Sequence, residues 1–306
     1  MSHFTVIVIG DKAEEQLEPY SEFECTGEEN KYVQTIDTTD EYLKEYKEDN
    51  DYKDKSFEYF LDEYYELPKV TDLADLDIEN EHKYGYYTVI DGVTKAYRRT
   101  NPNKKWDWYQ LGGRWTGFFD LKKGSKGLTG ETGLFGKPAA VGTTDSALKK
   151  DIDFEKMKSD AALKADEDYD YFSSLMQGLE FPKTWPECIA DFTVDGKPDY
   201  DAARTLYNSQ PAVIKIQSDE QYRSWFGSCV FDVFGQDKQS YINKCANGSF
   251  SPYAVVKDGQ WYSKGDMGWW GMSSNEISQE EWNQKVAEMI NALDDDVLIS
   301  LYDCHI

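Results

Sequence analysis

The 306-residue chain contains no apolar run approaching the roughly 20 residues that cross a bilayer, and its opening MSHFTVIVIG leads into acidic residues without a cleavage-like site. These absences predict a soluble protein that is neither membrane-embedded nor secreted. The five cysteines (Cys25, Cys188, Cys229, Cys245 and Cys304) are odd in number and never spaced as C-x-x-C, which fits reduced thiols in a cytosol better than a disulfide frame or a zinc ribbon. No structural metal is expected. No G-x-G-x-x-G or G-x-x-x-x-G-K-[ST] string occurs and regular βαβα alternation is missing, so a doubly wound nucleotide-binding fold is disfavoured and no cofactor is expected. The nucleophile elbow G-x-S-x-G, the H-E-x-x-H helix and the EF-hand loop are missing as well.

Basic residues are scarce. Against 58 acidic side chains stand 33 basic ones, a net charge of −25 that opposes non-specific contact with a phosphate backbone. The imbalance is uneven: residues 1–90 carry 8 basic and 25 acidic groups, residues 91–150 carry 12 and 5, and residues 151–306 carry 13 and 28. The basic island between acidic flanks reads either as a solvated face that neutralises nearby acids or as a surface complementary to a partner or to another copy of the chain. Hydrophobic residues at 40% and aromatics at 15%, with 22 Tyr and 9 Trp, point to a packed protein rich in contact surface.

The element pattern predicts an α+β fold with a mixed or antiparallel sheet, hairpins and several flanking helices. HFTVIVIG at the start and VLISLYDCHI at the end read as buried strands lying close together. Asp91-Gly92 and Asp258-Gly259 mark two hairpins, and TGFFDLK reads as a further strand. Helices are expected after Thr38 or Thr39, across SFEYFLDEYYEL, from Asp145 to about Leu179, through DYDAARTLYNSQ and QSDEQYRSWF, and over SQEEWNQKVAEMINAL behind the Ser278-x-x-Glu281 box. AVIKI reads as a buried strand, and Trp185-Pro186 as a helix end. The organisation is then an N-terminal α+β part at 1–123 with an acidic helical insertion, a Gly-rich loop at 124–144, and a C-terminal helical and α+β part at 145–306. That last part can share one domain with the first strand. WDWYQLGGRWTGFF and GQWYSKGDMGWWGM echo one another, through duplication or through composition alone.

Two groups of residues are candidates for chemistry or recognition. If the terminal strands are antiparallel neighbours, His3, Asp303, Cys304 and His305 meet at one end, where a His-Asp-His set can move protons or bind a metal through imidazole and carboxylate; the bland alternative is a fraying sheet edge. In Gly112-Gly113-Arg114-Trp115, the two glycines allow close backbone approach and Arg114 can stack on a base or fork onto phosphate or carboxylate, or else pair within the chain. Trp106, Trp108, Tyr109, Arg114, Trp115, Trp269 and Trp270 are the candidate partner-binding residues.

Taken together, HFTVIVIGD, NPNKKWDWYQLGGRWTGFF, DGQWYSKGDMGWWGM and DCHI resemble a family of uncharacterised bacteriophage proteins. In size and in its acidic, aromatic-rich make-up the chain is similar to the Gabija anti-defence proteins of phages. That resemblance implies a non-enzymatic inhibitor in the host bacterial cytoplasm that assembles around the host's Gabija nuclease-helicase complex and prevents DNA binding and cleavage. Self-association into a homo-oligomer, with the basic island meeting acidic segments of neighbours, fits the charge distribution. The alternative is a small enzyme acting on a nucleotide or nucleic acid, with Arg114 orienting phosphate and His3, Asp303 or His305 moving protons.

Overall fold

His3–Ile9 runs through the middle of a six-stranded sheet in the computed structural model, which describes residues 2–224, 227–268 and 272–306. Val6, Ile7 and Val8 are fully buried because this strand is covered on both faces, which accounts for its continuous β-branched run. It pairs antiparallel with the C-terminal strand Leu298–His305, setting His3 opposite His305 and Ile9 opposite Ile299. On its other side it pairs parallel with Ala254–Lys257, which turns at Asp258-Gly259 into the edge strand Gln260–Ser263. The far side of the C-terminal strand is shared: Trp108–Leu111 takes its last half and Ser146–Leu148 its first. The two echoing Trp-Tyr segments therefore form opposite edges of one sheet. Strands from both the 1–123 and the 145–306 parts contribute to it.

Strand alternation divides the side chains between two cores. Ile7, Ile9, Ile299 and Leu301 pack with Trp282, Val286 and Ile290 of the helix Gln279–Asn291. Ser278 caps that helix by accepting the Glu281 amide, as its sequence indicates. Trp282 is 2% exposed and donates its indole N–H to the Pro252 carbonyl at 2.6 Å, so its burial stabilises by about 3 kcal/mol without leaving a donor unpaired. Phe4, Val6, Val8 and Cys304 face the opposite core, with Leu17 and Trp106.

Two smaller units flank the sheet. The hairpin Gly85–Ile90 and Val93–Thr100, extended by Gln34–Asp37 and Lys69–Val70, is covered by the helices Thr39–Glu48 and Phe57–Glu63 around Tyr42, Leu61 and Tyr87. Its turn residues Asp91 and Gly92 have φ of 53° and 75°, the left-handed pair that a tight hairpin demands. The second unit is helical, built from Phe154–Leu175, Trp185–Asp191, Tyr200–Ser209, Pro211–Gln217, Gly227–Phe234 and Lys238–Gly248 around Phe172, Val213 and Phe234. Among the described residues, no helix is long and apolar enough to cross a membrane.

The fold class stands as expected, while several elements differ. AVIKI is a helix, Pro211–Gln217, because Pro211 occupies its first turn and the helical core buries Ala212, Val213 and Ile216 together. Packing overrides the β-branched preference there. Trp185-Pro186 opens a helix instead of ending one: Thr184 and Glu187 form a reciprocal capping box, with Pro186 in the first turn. The long helix begins only at Phe154, capped by Asp153, since Leu148 pairs with Leu298 in the sheet and Ile152 is drawn into the core. Residues 221–224 are turns, with Tyr222 anchoring them at 1% exposure, and 225–226 of that expected helix lie outside the described residues. The strand expected over TGFFDLK is confined to Phe119–Asp120, and the helix over SFEYFLDEYYEL stops at Glu63, leaving Tyr64 exposed.

Candidate functional site

The sheet register brings three separate stretches of sequence to one end of the central strands. His3 lies opposite His305, and His305 lies opposite Trp108. The imidazole centroids of His3 and His305 are 4.8 Å apart at 71°, with the Trp108 ring 6.1 Å from His3. Each imidazole has its own carboxylate: His3 Nδ1 is 2.8 Å from Asp303 Oδ1, and His305 Nδ1 is 2.6 Å from Asp107 Oδ1. A carboxylate only accepts hydrogen bonds, so Nδ1 of each ring is the donor and Nε2 carries the lone pair when the ring is neutral. The histidine side chains are 16% and 12% exposed, whereas Asp303 is fully buried. His82 is elsewhere: buried, it accepts the Asp77 amide through Nδ1.

Asp303 is shared with the Gly-Gly-Arg turn. Its Oδ2 accepts the Arg114 amide at 3.0 Å, and a Cβ on Gly113 would lie 2.5 Å from the Asp303 Cβ. Gly112 bears the same relation to Asp145, whose Oδ2 would lie 2.3 Å from an added Cβ. The close approach that these glycines permit is therefore made by the chain's own carboxylates. Asp145 accepts the Gly117 and Gly130 amides at 2.6 and 2.8 Å, pinning both the aromatic turn and the 124–144 loop. Burial raises its pKa, and the amide hydrogen bonds oppose that rise. Arg114 forms no ion pair among the described residues. Its guanidinium lies 5.7 Å over the Phe135 ring, and its Nε is buried without a hydrogen-bond partner among the described residues.

Beside the histidines opens a groove of about 700 Å³. Trp106, Trp108 and Tyr109 line it together with Glu14, Glu15, Glu18, Glu28, Glu29 and Asp107. The aromatics differ in availability. Trp106 is 8% exposed and donates its indole N–H to the Leu17 carbonyl, so it forms the wall, while Trp108 is 45% exposed. Tyr109 is half-buried between Trp106 and Tyr302. Trp115 is partly buried and packs against the core around Phe119 and Trp282, and Trp269 and Trp270 lie outside the described residues. Near the groove, Glu22, Cys25 and Asp107 place one ligand atom each within 4.8 Å of one another. Burial and the Glu22 carboxylate push the Cys25 thiol up to about 11, and Lys104 occupies Glu22, so this set is poorly suited to a cation.

The proximity of His3, Asp303 and His305 was legible from the terminal strands. Asp107 and Asp145 were not, since a single Asp between tryptophans or in a polar loop carries no distinctive pattern. The glutamates of the groove come from short helices and turns at residues 13–30, where the sequence is weakly periodic. The thiols of Cys25, Cys188, Cys245 and Cys304 are free. Comparison of the chain with protein-family models, with curated proteins and with solved structures finds no match.

Proposed function

We propose that this protein acts by binding, and that its acidic, aromatic-walled groove docks a basic surface of a partner protein. The observation that carries this reading is the gathering of Glu14, Glu15, Glu18, Glu28, Glu29 and Asp107 around the half-exposed Trp108 in one groove. Carboxylates concentrated in a concave surface steer a cationic partner and set its orientation, and an indole face adds a cation–π contact with Lys or Arg. The resemblance to phage Gabija anti-defence proteins makes the host nuclease-helicase complex the partner of choice, because a nuclease exposes basic surface to hold DNA. Occupying that surface blocks DNA binding and cleavage. The basic island at 91–150 is then available to acidic segments of further copies around the same target, in the host cytoplasm.

The test is charge reversal in the groove. Glu14→Lys with Glu18→Lys lowers the association rate with the nuclease-helicase complex by at least ~10-fold at low salt, and the difference shrinks as salt rises. Equal rates for the variant and the native protein would remove the groove from the binding surface.

A further inference from the structure

Independently of the binding reading, the geometry at the end of the sheet points to a catalytic centre: we propose that His3 and His305 form a general acid/base pair that cleaves small ribonucleotide phosphodiesters by transesterification. Both rings have the arrangement that such catalysis needs. Each Nδ1 is held by a carboxylate, at 2.8 Å for His3 and 2.6 Å for His305, which fixes the tautomer and leaves Nε2 for a reacting proton. Neither Nε2 has a hydrogen-bond partner among the described residues. The rings lie side by side through strand register, with centroids 4.8 Å apart, and both are partly open to solvent. Asp303, the orienting group of His3, is itself fixed by the Arg114 amide, so His3 is held by buried backbone geometry.

Two neighbours define the substrate. Trp108 is 45% exposed and 6.1 Å from His3, a platform on which a base can stack. Arg114 starts from the amide that holds Asp303 and, in a chain with 58 acidic side chains, has no carboxylate partner among the described residues. Its guanidinium, seated over the Phe135 ring and free of carboxylates among the described residues, suits a phosphate. The glutamates of the adjoining groove repel a long polyanion, which restricts the substrate to one or two phosphates.

In the reaction a ribose 2′-hydroxyl attacks the adjacent phosphorus. Nε2 of one histidine takes the 2′-hydroxyl proton as the P–O2′ bond forms, and the other histidine, protonated, gives its proton to the 5′-oxygen as the P–O5′ bond breaks. The products are a 2′,3′-cyclic phosphate and a 5′-hydroxyl, and exchange with solvent restores both rings. Neither water, metal nor redox partner is consumed.

The experiment incubates the purified full chain with the ribodinucleotide uridylyl-3′,5′-adenosine in EDTA, in parallel with its 2′-deoxyuridine counterpart. The expected result is a 2′,3′-cyclic product from the first and no cleavage of the second, with His3→Ala and His305→Ala each slowing the reaction at least ~100-fold. Cleavage of both dinucleotides, abolition by EDTA, or a rate shared by the native protein and the two variants would overturn the proposal. The deoxy comparison uses the native protein alone, so it decides the matter even if a variant fails to fold. Capture of the nuclease-helicase complex by His3→Ala, whose carboxylate partner Asp303 does not line the groove, separates the failure of this centre from failure of the groove.

Discussion

Asp107 and His305 are joined at 2.6 Å between Oδ1 and Nδ1, and this contact links the two halves of the candidate site. Asp107 belongs to the acidic groove, while His305 closes the last strand and faces His3 across the sheet. A substitution at Asp107 therefore alters the charge of the groove and the orientation of the histidine together, whereas changes at Glu14 or Glu18 alter the groove alone.

Asp303 is the most demanding position in this region. It is fully buried and accepts from both the His3 ring and the Arg114 amide. In Asp303→Asn the amide oxygen keeps the Arg114 N–H while the amide nitrogen faces His3 Nδ1, which forces the ring into the other tautomer and replaces a charged acceptor by a neutral pair. The variant loses about 2 kcal/mol of stability, read as a lower denaturant midpoint with unchanged slope.

Gly113 and Gly124 both have left-handed backbones, with φ of 55° and 87°, but only Gly113 has a neighbour in the way of a Cβ. Gly124→Ala bears only the backbone strain, about 1 kcal/mol, because nothing lies within 4 Å of the added carbon. Gly113→Ala adds a clash with Asp303 and costs at least ~2 kcal/mol. Thermal unfolding of the two variants side by side checks the difference.

Cys25 is surface-placed yet a poor nucleophile. Burial of the thiol and the neighbouring Glu22 carboxylate push it up to about 11, so the thiolate is scarce at neutral pH. Iodoacetamide labels Cys25 slowly at pH 8, and the rate rises steeply toward pH 11. Glu22→Gln increases labelling at pH 8.

Asp37 accepts the Thr39 hydroxyl at 2.6 Å and the Thr39 amide at 3.1 Å where the helix Thr39–Glu48 begins. The Thr39 hydroxyl bond holds its carboxyl below the usual carboxylate range. A folded pKa below the unfolded one stabilises above the unfolded value, near ~4, and that contribution disappears as pH falls through the folded value. Asp37→Asn is thus less stable than the native protein at pH 7, and the gap narrows as pH falls below the unfolded value and through the lower folded one. Melting curves across that range give the result.

The sequence foretold most of the central sheet because its signals were local and strong. Asp258-Gly259 specifies the hairpin at one edge, as Asp91-Gly92 does in the flanking sheet, and the apolar runs at both ends have no amphipathic alternative. AVIKI misled because β-branched residues are poor helix formers in isolation, yet Pro211 presets the first turn and the helical core covers three of its apolar side chains. The histidine pair could be anticipated from two terminal strands alone. The groove could not, since its carboxylates come from residues 14–29 and its aromatic wall from residues 106–109, brought together by the Trp106 indole bond to Leu17.

The central claim, docking of a basic partner in the groove, is tested most directly by mixing the purified protein with a reconstituted Gabija nuclease-helicase complex. Mass and DNA cleavage are then measured in the same samples. The account predicts a larger stable species with suppressed cleavage, and release of both effects when Trp108→Ala is combined with Glu14→Lys and Glu18→Lys. An unchanged mass with undiminished cleavage would contradict it.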